Sequence, residues 1–234
     1  MTRLVFPGGS VPSDLQALFA THPEADHALL SASERARCDG FGSPERRLQF
    51  TLGRTVARCL AGRRLGVAPA AVPLRVGADG APEVDGMHLS IAHGGRGDAV
   101  VAAAAVADRP VGVDVEAIVP RRADLWPRIL APEEAPVFEA LGVHGDEGLT
   151  LAWSLKEAVL KGQRTGLRAG ARSVRLSLCD EGVPEVGLPE VGLPEAGAAA
   201  AVSERSGRWH LRWRRLGAVW VTLAWAAAQE KQTR

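Results

Sequence analysis

Polar and apolar side chains follow a helical period near the middle of the second half of this chain. At 153–161 the polar residues recur at every fourth position, so Trp153, Glu157 and Lys161 share one face of a predicted helix. This pattern fixes the orientation of the helix, because its opposite face must be buried. The apolar residues on that face are Leu151, Ala152, Leu155, Ala158 and Val159.

A shorter segment, 112–116, has the two-residue period of a β-strand. Val113 and Val115 are expected to point to one face and Asp114 and Glu116 to the other. If the acidic face meets the polar stripe of the helix, three carboxylates converge beside an ammonium group, which suits Mg²⁺ and a phosphorylated substrate. The alternative is a solvated surface, where a Glu–Lys pair contributes only about 0.2–0.5 kcal/mol.

The remaining pattern predicts a mixture of helices and strands. A Gly- and Pro-rich tandem repeat at 185–197 is predicted to be an exposed, mobile loop. The predicted helices are 43–65, 132–141 and 146–163, and the predicted strands are 87–92, 99–107, 112–116, 172–178, 209–214 and 219–227.

The helix at 43–65 is unusually rich in arginine. Between 43 and 66 there is a single acidic residue, Glu45, so this segment is expected to bind an anion, with a solvated basic face as the alternative. The arginines are Arg46, Arg47, Arg54, Arg58, Arg63 and Arg64.

Composition limits the class of protein. A chain of 234 residues with 46% apolar residues can form one large domain or two small ones. The longest apolar run, 99–107, is too short to span a bilayer, and the N-terminus does not resemble a signal peptide, so a cytoplasmic protein is expected. Outside the arginine-rich segment the charges of both signs are interspersed, so the broad basic face that a nucleic-acid partner needs is not expected. Three scattered cysteines, Cys38, Cys59 and Cys179, indicate neither disulfides nor zinc.

The sequence GVDVE at 112–116, followed by WSLKEAVLK at 153–161, resembles the paired motifs of the 4'-phosphopantetheinyl transferases, in the Sfp-like branch. The resemblance implies transfer of the phosphopantetheine arm of coenzyme A to a serine of an apo acyl, peptidyl or aryl carrier protein. Adenosine 3',5'-bisphosphate would be released. It also implies two similar α+β lobes, each a small antiparallel sheet packed with helices, with the ligand between them. The lobes would be 1–110, for the nucleotide, and 111–234, for the metal.

Site residues follow from the same resemblance. The expected catalytic residues are Glu157 and Lys161. Glu157 is the expected base, acting directly or through a metal-bound water, and Lys161 or Lys156 would bind phosphate or the leaving group. Trp153 is expected to pack rather than to stack on the ligand. The expected ligands of Mg²⁺, or of Mn²⁺ in its place, are Asp114, Glu116 and Glu157. The expected contacts to coenzyme A are Arg47, Arg54, Ser90, His93, Asp114, Lys156 and Lys161.

The chain also departs from the family pattern. Ala81 stands where a phosphate-binding lysine is expected, so Arg75 or Arg96 would take its part. Two other functions therefore remain open, a Mg²⁺-dependent nucleotide phosphohydrolase and a non-catalytic binding module for coenzyme A or a carrier protein. The length suits the monomeric branch of the family. Candidates for carrier-protein docking, or simply for solubility, are Arg121, Arg122, Arg164 and Arg168.

Overall fold

The structure of the chain is a computed structural model that describes residues 1–6, 11–140, 144–166, 170–177, 196–203 and 206–228. Helices and antiparallel sheets are combined in these residues, which confirms the predicted α+β class. No helix in the described ranges is long and apolar enough to cross a membrane. The candidate Arg168, Cys179 and most of the repeat at 185–197 lie outside the described residues.

The first half of the chain builds a four-stranded antiparallel sheet and a small hairpin. Its strands are β1 (Thr2–Arg3), β2 (Gln16–Thr21), β3 (Arg75–Val76), β4 (Pro82–Glu83), β5 (His88–Gly94) and β6 (Val101–Ala107). The sheet has the order β1-β2-β6-β5, and β3 pairs with β4. Both faces of β6 are buried, which explains its nearly continuous apolar sequence.

Two helices accompany the first sheet, α1 (Ala32–Asp39) and α2 (Pro44–Leu65). The hydroxyl of Ser43 accepts a hydrogen bond from the Arg46 amide and caps α2, and the helix ends at Gly66 in the left-handed conformation. The predicted helix at 43–65 is therefore confirmed.

The second half builds a five-stranded antiparallel sheet. Its strands are β7 (Val111–Ala117), β8 (Val174–Ser177), β9 (Ala196–Ser203), β10 (Gly207–Leu216) and β11 (Val219–Ala226), and its helices are α3 (Trp126–Ile129), α4 (Ala135–Ala140) and α5 (Gly145–Gly162). The strand order is β7-β11-β10-β9-β8. The sequence did not predict β9, whose alanine-rich start overlaps the last two residues of the repeat.

Four layers form the core of the molecule. Apolar residues of α2, such as Leu52 and Val56, pack on one face of the first sheet. The other face of that sheet packs against the second sheet, where Val113 and Val115 meet side chains such as Phe19. The helix α5 covers the far face of the second sheet. This arrangement brings β5 of the first sheet beside β7 of the second, and we call this line of contact the seam.

Candidate functional site

A close approach between β7 and α5 sets the geometry of the site. A Cβ atom at Gly112 would lie 1.7 Å from the Ala158 carbonyl oxygen, so only glycine fits at this crossing. Two residues further along β7, Asp114 points toward the same helix, because alternate side chains share a face. The acidic face of the strand therefore meets the polar stripe of the helix, as the sequence predicted.

Lys161 lies between two carboxylates at this contact. Its Nζ atom is 2.5 Å from Asp114 Oδ1 and 3.5 Å from Glu157 Oε2. Burial acts to lower the pKa of Lys161, but the carboxylates outweigh it and the pKa is raised. The charged form of Lys161 is thus favoured beside the almost fully buried Asp114.

Glu116 is held separately, by one donor on each carboxylate oxygen. Trp153 Nε1 donates to Oε1 at 3.0 Å, and Arg121 Nη2 donates to Oε2 at 2.8 Å. Trp153 also packs against the core beneath α5, as expected for this residue. Glu116 therefore belongs to the site, although it does not contact Lys161.

The first sheet contributes His93 at the end of β5. Arg46 Nη1 lies 3.0 Å from His93 Nε2, and since a guanidinium can only donate, Nε2 is the acceptor. The pKa of His93 is lowered to about 4, chiefly by burial and also by the charges of Arg46 and Lys161, while Asp114 acts in the opposite direction. The next residue of β5, Gly94, lies so close to β7 that a Cβ atom there would be 2.7 Å from the Val115 carbonyl oxygen, so His93 lies at the seam beside the strand that carries Asp114.

The sequence did not single out Arg46 or its neighbour Gln49. Gln49 Nε2 donates to the Gly95 carbonyl at 3.1 Å, and Gly53 packs on Ile91 of β5. Arg46, Gln49 and Gly53 follow the i, i+3, i+7 spacing of one helix face, which is the signal that could have found them.

The carboxylates influence one another electrostatically. Burial raises the pKa of Glu157, Lys161 opposes this, and Asp114 and Glu116 raise it further. Burial also raises the pKa of Glu116, with a further contribution from Asp114 and opposition from Arg121. Such mutual repulsion favours the binding of a cation.

The chemistry of these donors fits Mg²⁺, although no three His, Cys, Asp or Glu side chains form a ready-made metal cage among the described residues. Lys161 stands between two of the candidate ligands. All three donors are carboxylates, the type that hard cations prefer. Asp114 Oδ2 is buried without a hydrogen-bond partner, which costs about 1–3 kcal/mol for such a group. A bound cation would relieve that cost.

Lys156 is not at this site, and its predicted contact with coenzyme A needs correction. Its side chain is completely buried on the other side of α5, where Nζ donates to Glu134 Oε2 at 2.7 Å and to the Ile129 carbonyl at 2.8 Å. Neighbouring residues on a helix point about 100° apart, so Lys156 cannot share the face of Glu157.

Ser90 and Arg54 are also corrected. Ser90 is buried in the seam, where its hydroxyl accepts a hydrogen bond from the Val113 amide at 3.0 Å. Arg54 is buried, with Nε 3.6 Å from Glu34 Oε1 of α1. Both side chains serve packing between elements, and neither is open to a ligand.

Two of the arginines considered for docking are engaged in ion pairs. Arg121 binds Glu116, and Arg164 binds Asp79 with distances of 2.6 and 2.8 Å and also contacts Glu83. Arg121 is half-buried in its ion pair, whereas Arg164 stays exposed although it is paired.

Other candidate arginines remain accessible. Arg122 is exposed and pairs with Asp124, while Arg47 is half-buried and makes no side-chain hydrogen bond or ion pair with the described residues. Of the two substitutes for a lysine at Ala81, Arg75 binds Asp85 at 2.6 Å, and Arg96 is exposed near the end of β5.

An acidic strand on a Glu–Lys helix has the chemistry of an enzyme that acts on phosphorylated substrates. Residues 110–227, just over half of the chain, match the family model of the 4'-phosphopantetheinyl transferase superfamily. The chain therefore belongs to this superfamily and is a transferase enzyme, as its motifs predicted. The matched region contains Asp114, Glu116, Glu157 and Lys161.

Two curated relatives support the assignment. The chain is 29% identical over 161 residues to the 4'-phosphopantetheinyl transferase of Bacillus subtilis. The aligned region covers 66% of this chain and 69% of that protein. It is also 29% identical over 149 residues to the 4'-phosphopantetheinyl transferase HetI of Nostoc sp. (strain PCC 7120). This second aligned region covers 60% of this chain and 62% of that protein.

Proposed function

We propose that this enzyme transfers the 4'-phosphopantetheine arm of coenzyme A to a serine of an apo acyl, peptidyl or aryl carrier protein. The serine oxygen forms a bond to the β-phosphorus of coenzyme A. The bond from that phosphorus to the bridging oxygen breaks, and adenosine 3',5'-bisphosphate leaves with the electron pair. The observation that carries this proposal is Lys161 between Asp114 and Glu157, within the region that matches the superfamily.

Positive charge and hydrogen-bond donors for the diphosphate come from both sides of the seam. Lys161 supplies an ammonium group from α5. Arg46 and His93 lie opposite on α2 and β5, and Arg47 and Arg96 stay proposed contacts to coenzyme A. Fixed cations stabilise the charge that moves to the leaving group during transfer. The ligand would then lie between two lobes, 1–110 and 111–234.

Asp114, Glu116 and Glu157 are the residues that would hold Mg²⁺, or Mn²⁺ in its place. When bound, the cation would neutralise negative charge on the diphosphate oxygens. The Asp114 carboxylate is the anchor of this set, because it is almost fully buried and its second oxygen has no hydrogen-bond partner within the described part of the chain.

Glu157 is the carboxylate best suited to accept the serine proton. Both oxygens of Glu116 already accept hydrogen bonds from protein donors, and Asp114 is paired closely with Lys161. Among the described residues, Glu157 has only the longer contact to Lys161, so its carboxylate is the least engaged of the three and the freest to accept a proton.

Mass spectrometry of an apo carrier protein tests the proposal directly. After incubation with the enzyme, coenzyme A and Mg²⁺, the carrier protein should gain one phosphopantetheine group on its serine. Adenosine 3',5'-bisphosphate should appear in equal amount. Hydrolysis of coenzyme A without carrier modification would support a phosphohydrolase, and unchanged reactants across acyl, peptidyl and aryl carrier proteins would support a binding module.

A further inference from the structure

Arg121 donates hydrogen bonds to three residues of β7 and α5, one each from its backbone amide, Nε and Nη2. Its Nη2 atom donates to Glu116 Oε2 at 2.8 Å, and its Nε atom donates to Thr150 Oγ1 at 3.2 Å. Its backbone amide donates to Asp146 Oδ1 at 2.8 Å. Asp146 and Thr150 lie in the first two turns of α5, so Arg121 fastens the segment after β7 to the helix that carries Glu157.

Trp153 completes the support of the same carboxylate from the other side. Its Nε1 atom lies 3.0 Å from Glu116 Oε1, so each oxygen of Glu116 has its own donor. Trp153 is partly buried against the core, and its indole therefore has little freedom to move. Two donors from two anchored side chains fix the rotation of the carboxylate, which a single hydrogen bond would not do.

The neighbouring Arg122 shows how different an ordinary surface arginine is. Its side chain is 82% exposed and binds only the exposed Asp124. The side chain of Arg121 is 23% exposed and binds Glu116, which is itself 25% exposed. A guanidinium fork that spans Thr150 and Glu116 has a defined orientation, whereas a lysine offers a single point charge.

We propose that Arg121 is a positioning residue that, together with Trp153, holds the Glu116 carboxylate in the orientation used for phosphopantetheine transfer. This inference rests on the proposed function, because Glu116 is one of the three carboxylates assigned to the divalent cation. Residues that orient a metal ligand affect metal affinity or activity by about 10- to 100-fold when they are changed. Arg121 therefore acts through Glu116 and not through contact with the carrier protein.

The test uses Mn²⁺ alone as the probe, followed by steady-state transfer kinetics. Arg121→Lys keeps the charge but loses the fork, and Trp153→Phe keeps the ring but loses the N–H group. Each should weaken Mn²⁺ binding and lower kcat by about 10-fold while the KM for the carrier protein stays the same. Arg122→Lys is the matched control and should leave Mn²⁺ affinity unchanged.

Making the Arg121→Lys substitution in a protein that lacks the Glu116 carboxylate shows whether Arg121 acts through Glu116. In Glu116→Ala there is no carboxylate to orient, so adding Arg121→Lys should change Mn²⁺ affinity by less than about 2-fold. An equal loss in both backgrounds would overturn the inference, as would a rise in carrier-protein KM with kcat and Mn²⁺ affinity unchanged.

The two levels of the proposal fail in different ways. Wild-type enzyme that modifies no carrier protein would contradict the proposed function. Active wild-type enzyme with an equally active Arg121→Lys variant would contradict the role of Arg121 alone. Absence of Mn²⁺ binding by the wild-type protein would also overturn the role of Arg121.

Discussion

His93 is a neutral side chain in a site that otherwise consists of charged groups. Arg46 donates to its ring, and Lys161 adds a second positive charge nearby. Burial, together with these two charges, therefore makes protonation of His93 unfavourable in the folded protein. A neutral imidazole can still donate from Nδ1 to a phosphate oxygen, so the site gains a hydrogen bond without further charge.

His93 should make stability depend on pH between its unfolded and folded pKa values. The folded pKa is about 4, below the ordinary value of 6.5. Between these values the unfolded chain binds the proton and the folded chain does not, so stability is lost as the pH falls. From pH 7 to pH 5 the free energy of unfolding should fall by about 1–2 kcal/mol more in the wild type than in His93→Gln. Urea unfolding at both pH values measures the free energy of unfolding of each protein. An equal fall in the wild type and in His93→Gln would contradict the low pKa of His93.

Lys156 should contribute to stability and not to coenzyme A binding. Its buried ion pair with Glu134 also ties α5 to β8, because Glu134 accepts a hydrogen bond from the Leu176 amide at 2.7 Å. Removal of one partner of a buried pair costs about 3–5 kcal/mol. Lys156→Met should lower the free energy of unfolding by that amount and leave the KM for coenzyme A unchanged. A raised KM with normal stability would return Lys156 to the ligand site.

The sequence around Lys156 does indicate that its side chain is buried, although the motif at 153–161 suggested a ligand contact. Its helix neighbours at i−4, i−1 and i+3 are Ala152, Leu155 and Val159, all apolar. Those positions place Lys156 on the buried face. The sequence could not identify Glu134 as its partner, because that contact depends on how the segment before α4 folds onto α5.

For the helices and strands, sequence periodicity predicted which faces of α5 and β7 are polar. It did not predict how separate elements pack on one another, because that depends on contacts between residues distant in sequence. The acidic partner of Arg54 and Arg58 is an example. A count of charges within 43–66 finds only Glu45, whereas α1 folds back and brings Glu34 within 2.7 Å of Arg58. Two arginines that suggested an anion site are therefore occupied by a buried carboxylate. Arg46 was counted among the arginines of this segment, but its contact with His93 of β5 could not be read from the count.

The crossing of β7 and α5 should be highly sensitive to a single added methyl group. Alanine at Gly112 would overlap backbone atoms of α5, and neither element can move without disturbing the core. Gly112→Ala should destabilise the protein by about 1–3 kcal/mol. Gly42→Ala is the control, because nothing lies within 4 Å of a Cβ at that position. Thermal unfolding of both variants measures the difference, and equal melting temperatures would contradict the close approach.

At the scale of the whole molecule, the layered fold explains why the site lies at the seam. The two sheets pack face to face, and β5 and β7 are the strands that meet there. His93 is the penultimate residue of β5 and Asp114 lies in β7, so side chains distant in sequence are brought to the same seam. The sequence predicted helices and antiparallel sheets in both halves. It could not predict the seam, because no periodic pattern records which strands of two sheets become neighbours.

The assignment of Asp114 and Glu157 to the transfer site is tested most directly by comparing three variants. Phosphopantetheine transfer is measured for Asp114→Asn, Glu157→Gln and the control Glu133→Gln. Asp114 and Glu157 flank Lys161, whereas Glu133 is an exposed carboxylate that pairs with Arg175. Both site variants should fold cooperatively and lose about 100-fold or more of the transfer rate, since each removes several kcal/mol of charge stabilisation. Glu133→Gln should keep the wild-type rate. A folded Asp114→Asn or Glu157→Gln enzyme that modifies carrier protein as fast as the control would contradict the assignment of the site.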